Sequence, residues 1–462
     1  MEPAPNPVPE EKSSAPVMVA PIAFHGRRHF LGMHLTMALV VLVLGCWASS
    51  GTLAPYAATH YLPQVLPCNY LGNPDHWHFW QPYLLFQDVP SHYWQQAIKL
   101  RRILHPMLSW PLVASFGFLL GGFIANVLMT GIASAVFLRF IHLRHGPRAT
   151  IVTAWLLATY PGIAYWVGLP YSYASAVPSM LLAAVLMHPM IEQQGRPISF
   201  FLRASGIGIL FLAYDGLLLI LFPAVAWMTV RNKTWPHLPL VFVGLFWPSV
   251  GNTWFMTHIL QADLVNSNSV TYYFILESYL HGPWSWDILM GHMRELPLLG
   301  AKMLFFGNFF FLPLTFLFFI LLNRRTRAHG LRPVEEALLV AALGLLVFLN
   351  IAPPYPGWQM RGEWVARLFQ PIFVAFLLVI ARGMARSITL TPSGNLLRIT
   401  LVSATILAQG WVVFGGLHKS RVTDMVYRNF LTHPHHAYYL YNLEKYGVRP
   451  LGFCQETESP PS

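Results

Sequence analysis

Charged residues are scarce in this chain of 462 residues, because Asp, Glu, Lys and Arg together make up only 10% of it. A soluble domain carries about 25% charged residues. The hydrophobic share is 55% and the mean hydropathy is +0.48, so the chain has too little polar surface to cover a globule. This shortage excludes an ordinary soluble protein and predicts an all-α protein that crosses the membrane many times.

Acidic residues are the scarcer charged kind, with 18 Asp and Glu against 29 Lys and Arg and a formal net charge of +11. In a soluble protein such an excess indicates nucleic-acid binding. In a membrane protein, basic residues collect in cytoplasmic loops and fix the orientation of the chain. We therefore expect no nucleic-acid partner.

Cysteine is nearly absent, with three residues in the whole chain. Cys46 falls inside a predicted span, whereas Cys68 and Cys454 are predicted to lie outside the cytoplasm, where thiols can oxidise. A disulfide between these two and a pair of separate thiols both fit the sequence.

Long apolar runs are abundant. A spanning helix needs about 20 apolar residues, and about eleven segments qualify, several of them short. They cover residues 30–48, 116–140, 150–169, 171–191, 199–214, 216–230, 237–258, 298–322, 336–351, 367–381 and 397–416. The predicted organisation is a proline-rich, disordered cytoplasmic N-terminus over 1–29, a transmembrane domain over 30–416 and an extracytoplasmic tail over 417–462.

The arginines between the spans test this topology. If the N-terminus is cytoplasmic, the alternate loops that follow are cytoplasmic as well, which is where the positive-inside rule requires basic residues. Those loops hold Arg139, Arg144, Arg148, Arg196, Arg231, Arg324, Arg325, Arg327, Arg332, Arg382 and Arg386. The long loops then lie outside: loop one over 49–115, which we expect to form a cap, and a second outer loop over 259–297.

One basic cluster lies on the wrong side for this rule. Lys99, Arg101 and Arg102 stand near the end of loop one, in a segment with apolar residues between the cations. Such a segment can lie at the membrane interface with its cations on lipid phosphates or another anion. It can equally be a collar of long basic side chains at the start of the second span.

Several motifs, in order along the chain, resemble those of bacterial GT-C-fold glycosyltransferases. The stretch "IKLRRILHPMLSWPLV" resembles their R-x-x-R-I-L-Y-P-L-L-A segment, and "PDHWHFW" places Asp75 where that family has an acid in the first outer loop. The stretch "FLAYDGLLLILFP" places Asp215 at a second acid position, and "RLFQPIFVAFLLV" places Arg367 at a late arginine. The departures are His76 in place of a glycine and the lack of any carboxylate in "PYSYASAVP".

The resemblance implies a fold, a reaction and a location. Such enzymes of the bacterial inner membrane take a sugar from a polyprenyl-phosphate carrier and pass it to an acceptor outside the cytoplasm. Under this reading Asp75 is the base that accepts the proton of the acceptor hydroxyl, and Asp215 is a supporting acid. The predicted substrate-binding residues are Lys99, Arg101, Arg102, Arg361 and Arg367 for phosphate, and Trp77 and Trp80 for stacking on sugar. The cofactor stays unknown, because no ligand motif supports the divalent metal that such chemistry can use.

Other readings remain open. Asp75 with its tryptophans also fits an aromatic belt with an ordinary turn after proline, and Asp215 also fits an exposed Tyr-Asp-Gly turn. Arg361 and Arg367 also fit a pairing with Glu363. At the level of function, a transporter or flippase of lipid-linked saccharides and a non-catalytic assembly protein on the same scaffold are the alternatives.

Overall fold

The computed structural model describes residues 81–86, 100–116, 118–158, 160, 163, 167, 172–192, 197–231, 235–262, 277–301, 333–353 and 371–387. The N-terminus, the first and last predicted spans, the C-terminal tail and all three cysteines lie outside the described residues. Within the described part every regular element is a helix, which confirms the predicted all-α class there. The number of spans, about eleven, and the loop-one cap stay predictions.

The described part contains nine α-helices joined by short 3₁₀ turns. Their bounds are Leu104–Phe116 (α1), Phe118–Ala158 (α2), Ala176–Glu192 (α3), Pro197–Phe211 (α4), Leu218–Arg231 (α5), Leu238–Trp254 (α6), Trp286–Ala301 (α7), Pro333–Ile351 (α8) and Ile372–Ser387 (α9). Short 3₁₀ turns cover Gln81–Phe86, Leu100–Arg102, Ser172–Ser175, Asp215–Leu217 and Trp235–His237, and a π-helical turn covers Phe255–Ile259.

Several of these helices are apolar enough to cross a membrane. By length and composition, the described candidates are Gly121–Pro147, Ser172–Met190 and Leu238–Ile259. Shorter apolar helices cover Ala149–Ala158, Pro197–Phe211, Asp215–Met228 and Ile372–Ala381. These segments fall within or close to the predicted spans, so the chain is a membrane protein whose described core is helical.

A glycine divides α2 into two helices. Gly146 has φ of 82°, a backbone conformation that side chains other than glycine rarely adopt, and Pro147 follows it. The chain turns here between the spans predicted over 116–140 and 150–169.

Close backbone contact joins α4 and α6. A Cβ atom placed on Gly244 would come within 2.7 Å of the Ala204 Cβ and 2.8 Å of the Phe201 carbonyl oxygen. The Trp247 indole also donates to the Ser205 hydroxyl at 2.8 Å. Small residues that let two backbones approach are a usual way to pair helices in lipid.

The bundle has two distinguishable ends. Arg231, the last residue of α5, forms an ion pair with Glu336 in the first turn of α8, and this defines the Arg231 end. Helix α5 begins directly after the Asp215–Leu217 turn, which lies at the other end, called the Asp215 end below. Helix α8 starts at the Arg231 end, so its last residue, Ile351, points back toward the Asp215 end.

Candidate functional site

Two consecutive arginines converge on one carboxylate at the Asp215 end. The Arg101 Nε lies 2.5 Å from Asp215 Oδ2. The Arg102 Nη2 and Nε lie 2.6 Å and 2.7 Å from Asp215 Oδ1. Each carboxylate oxygen therefore lies against a guanidinium group, and Oδ1 accepts a charge-assisted hydrogen bond from Arg102, a kind that is among the stronger hydrogen bonds in proteins.

Arg102 is the buried member of the pair. Its side chain is 3% exposed, and its Nη1 donates to the Ser172 hydroxyl at 3.2 Å. The guanidinium carbon lies 5.0 Å from the ring centroid of Tyr173 and 4.9 Å from that of Tyr214. A cation held between two aromatic faces and a carboxylate is fixed in position, because each partner restricts a different direction of movement.

Arg101 and Asp215 are more exposed than Arg102. The Arg101 side chain is 13% exposed and that of Asp215 is 20% exposed. Two guanidinium groups and one carboxylate give the cluster a formal charge of +1. Of the two arginines, Arg101 is the one that an anion outside the bundle can reach more readily.

Backbone hydrogen bonds hold the three contributing segments together. The Leu104 N–H, just after the arginines, donates to the Leu212 carbonyl at 3.0 Å. The Ser175 hydroxyl donates to the Ala213 carbonyl at 2.9 Å. The end of loop one and the start of α3 are thus both tied to the turn between α4 and α5.

A second polar group lies one helical turn from the arginines. His105 Nε2 and Asn126 Oδ1 are 2.9 Å apart, and the Ser109 hydroxyl donates to the His105 carbonyl at 2.7 Å. The Tyr83 hydroxyl lies 2.6 Å from the Ser109 hydroxyl, which connects the Gln81–Phe86 turn to α1. Burial raises the pKa of Tyr83 above its ordinary value.

Burial also keeps His105 neutral. Desolvation lowers the pKa of His105 to about 4; the hydrogen bond with Asn126 opposes this shift and the charge of Arg102 adds to it. A neutral imidazole beside the arginines leaves the positive charge of the cluster to Arg101 and Arg102.

The predicted site residues divide into two sets. The structure brings Arg101, Arg102 and Asp215 into direct contact, although their roles stay predictions. The other predicted residues lie outside the described part of the chain, namely Asp75, Trp77, Trp80, Lys99, Arg361 and Arg367.

Sequence reasoning did not assign a role to the residues that surround Arg102. Ser172, Tyr173 and Tyr214 all contact its guanidinium, and His105 lies next to it along α1. The sequence does hold a signal for two of them, because Tyr214 precedes Asp215 and Tyr173 lies in "PYSYASAVP", at the start of a predicted span. Among the residues that the structure describes, no group of three His, Cys, Asp or Glu side chains is arranged to hold a metal ion.

Comparisons with known proteins give a distant structural likeness. No protein-family model and no curated protein matches the chain. Two crystal structures of ArnT from Cupriavidus metallidurans do match. The structure bound to undecaprenyl phosphate has 13% identity, covers 93% of this chain and 77% of that chain, and has a TM-score of 0.42. The apo structure has 14% identity, covers 88% of this chain and 76% of that chain, and has a TM-score of 0.45.

These neighbours are GT-C glycosyltransferases, the class that the sequence motifs resemble. Because both identities and both TM-scores are low, the likeness alone assigns neither a substrate nor an activity to this chain.

Proposed function

We propose that this protein is a membrane glycosyltransferase that moves a sugar from a polyprenyl-phosphate carrier to an acceptor at the Asp215 end of the bundle. The observation that carries the proposal is the net cationic cluster of Arg101, Arg102 and Asp215 at the end of apolar helices. Charged groups placed this close to hydrocarbon are costly, and in membrane proteins they usually mark a functional site.

The geometry of the cluster suits the phosphate of a lipid carrier. Arg101 supplies the donors that meet the phosphate, since a guanidinium can hold phosphate oxygens through two parallel hydrogen bonds. Asp215 holds Arg101 in place, and because Arg102 also neutralises this carboxylate, the three side chains together keep a net positive charge. The isoprenoid tail of the carrier stays in the lipid beside the bundle, so the carrier needs no nucleotide-binding loop.

The reaction follows from the same placement. The acceptor hydroxyl oxygen forms a bond to the anomeric carbon of the sugar while the bond from that carbon to the carrier phosphate oxygen breaks. The polyprenyl phosphate leaves with the electron pair, and Asp75 takes the proton of the acceptor hydroxyl. Lys99, Arg361 and Arg367 add positive charge near the leaving phosphate, and Trp77 and Trp80 stack on the sugar.

The position of Arg361 and Arg367 in the chain agrees with this assignment. They lie between α8, which ends at the Asp215 end, and α9, which begins at Ile372. In the proposed orientation the Asp215 end faces away from the cytoplasm of a bacterial inner membrane. The N-terminus is then cytoplasmic and the C-terminal tail lies outside.

One observation favours a transporter of lipid-linked saccharides as a second candidate. Asn126, Thr130 and Ser134 are buried at four-residue intervals on one face of α2, inside a candidate span. A polar stripe of this kind is a feature of substrate paths. All three side chains are uncharged and small, however, and groups of this kind also serve as ordinary contacts between helices in lipid.

A transfer assay separates the candidates. The full chain in liposomes is given a radiolabelled polyprenyl-phosphate sugar and a crude envelope fraction as the source of acceptor. The transferase is supported if the unaltered chain removes the label from the carrier, and if Asp75→Asn abolishes this transfer. The matched surface variant Asp287→Asn should still transfer the label. Carrier that crosses the bilayer with its label intact supports the transporter. If the label is neither transferred nor moved across the bilayer, the result supports a non-catalytic assembly protein.

A further inference from the structure

Helix α7 and the residues just before it present three different faces. The first face meets the protein: His292 is buried and its Nδ1 lies 3.2 Å from the Ile351 carbonyl oxygen at the end of α8. This contact places α7 beside the Asp215 end of the bundle.

The second face is apolar and exposed. Trp286 is 72% exposed and Met293 is 44% exposed. They are seven residues apart, so on a helix with 3.6 residues per turn they lie within about 20° of each other. A large indole exposed to this extent is unfavourable in water, because its apolar surface stays hydrated.

The third face is polar and exposed. Asp287 and Arg294 follow Trp286 and Met293 by one position each, so their stripe is rotated by about 100° from the apolar one. Glu295 lies about 180° from Trp286 on the same helix wheel. All three charged side chains are exposed. The helix thus has one buried side, one exposed apolar side and one exposed charged side.

The apolar face continues a second exposed apolar surface, on helix α8. Helix α8 exposes Val340, Leu343 and Val347 along one side, as a helix facing hydrocarbon does. Next to them, Phe348 stacks on Tyr279 with ring centroids 4.6 Å apart, and the Trp284 indole donates to the Tyr279 carbonyl at 2.8 Å. A row of exposed apolar and aromatic groups therefore leads from α8 to Trp284 and onward to α7.

We propose that the segment from Glu277 to Glu295 is an interfacial element that lies in the plane of the membrane, with Trp286 and Met293 in the lipid and Asp287, Arg294 and Glu295 in the headgroup and water layer. Tryptophan is enriched at this boundary because its ring is apolar and its N–H is polar. A helix with one apolar and one charged face is the usual form of such an element. The occupant of the apolar face is lipid.

Site-specific photocrosslinking tests this placement without altering the packed face. The full chain carries p-benzoylphenylalanine at Met293 or, as the matched control on the same helix, at Glu295, and is reconstituted in phosphatidylethanolamine–phosphatidylglycerol vesicles. A third variant with the probe at Leu343 of α8 reports the yield for a lipid-facing site. After irradiation, mass spectrometry measures lipid adducts.

The proposal predicts a lipid-adduct yield at Met293 that is several-fold higher than at Glu295 and comparable to that at Leu343. Equal yields at Met293 and Glu295 would overturn it, because yields far below that at Leu343 would place both faces in water and yields matching it would place both in lipid. Adducts between two copies of the chain at Met293 would overturn it as well, because the apolar face would then be a protein interface. The result does not depend on transferase activity.

Discussion

Arg102 and Asp215 are 113 positions apart in the chain, and two guanidinium N–H groups of Arg102 meet a single carboxylate oxygen of Asp215 at 2.6 Å and 2.7 Å. The contact joins the end of loop one to the turn between α4 and α5. Arg102 is buried against Tyr173 and Tyr214, and the pair fixes a site in which Arg101 is the more exposed arginine.

Loss of the carboxylate should destabilise the protein. In Asp215→Ala the buried Arg102 keeps the Ser172 hydroxyl but loses its counterion, and breaking a buried pair from one side costs about 3–5 kcal/mol. The double variant Arg102→Met/Asp215→Ala should lose less than the sum of its single variants, because Arg102→Met removes the buried charge that Asp215→Ala leaves without its counterion. The free energy of unfolding in mixed micelles measures both effects, and additive losses would contradict the coupling.

Arg101 should control the affinity for the lipid carrier. Arg101→Gln removes a charge-assisted contact of about 1.5–3 kcal/mol, so the Kd for polyprenyl phosphate should rise about 10- to 100-fold. Arg101→Lys keeps the charge and should weaken binding less. The matched control is Arg139→Gln, an exposed arginine of α2 seven residues before the Gly146 turn, which should leave the Kd unchanged. If Arg101→Gln and Arg139→Gln raised the Kd equally, the affinity would depend on the total charge of the protein and not on the position of Arg101.

His105 should make stability depend on pH in the acid range. Its pKa is about 4 in the folded protein and about 6.5 in the unfolded chain, so the unfolded state binds a proton first as the pH falls. Stability is therefore fully present above about pH 6.5 and declines between that value and about 4, by on the order of 3 kcal/mol. In His105→Gln, whose amide can still bond Asn126, this part of the decline should vanish when apparent Tm is measured against pH. An unchanged slope would contradict the role of His105.

The contact between α4 and α6 should tolerate no side chain at Gly208. A Cβ atom there would clash with the backbone carbonyl of Leu245, so Gly208→Ala should destabilise the protein by about 1–3 kcal/mol. Gly251→Ala is the matched control on α6, because its nearest neighbour would be the Trp247 ring at 3.9 Å. Thermal unfolding of both variants in the same detergent makes the comparison, and a neutral Gly208→Ala would show that the helices can separate at little cost.

Hydrophobic runs predicted the helices well in the part of the chain that the structure describes. The spans expected over 199–214 and 216–230 correspond to α4 and α5, and the turn between them falls at Asp215 as the Tyr-Asp-Gly sequence indicates. The break in α2 at Gly146 likewise falls between the spans expected over 116–140 and 150–169. These features are local, so a single sequence holds the information for them.

The surroundings of Arg102 were beyond sequence reasoning for a physical reason. Whether Tyr173, Tyr214 and Ser172 face the guanidinium depends on the rotation of three helices about their own axes and on their separation. The pattern of apolar residues does not determine the rotation or the separation of the helices accurately enough to predict a hydrogen bond. Counting the predicted spans could place Arg101, Arg102 and Asp215 at one end of the bundle, but it could not predict that they are in contact.

The most direct test of the proposed glycosyltransferase is a structure of the full chain in a lipid nanodisc with a bound polyprenyl-phosphate sugar. We expect the phosphate to lie within hydrogen-bond distance of the Arg101 guanidinium, with Arg102 and Asp215 still paired and the sugar directed toward Asp75. A phosphate bound elsewhere on the bundle, or Asp75 at the opposite face of the membrane, would contradict the proposed glycosyltransferase.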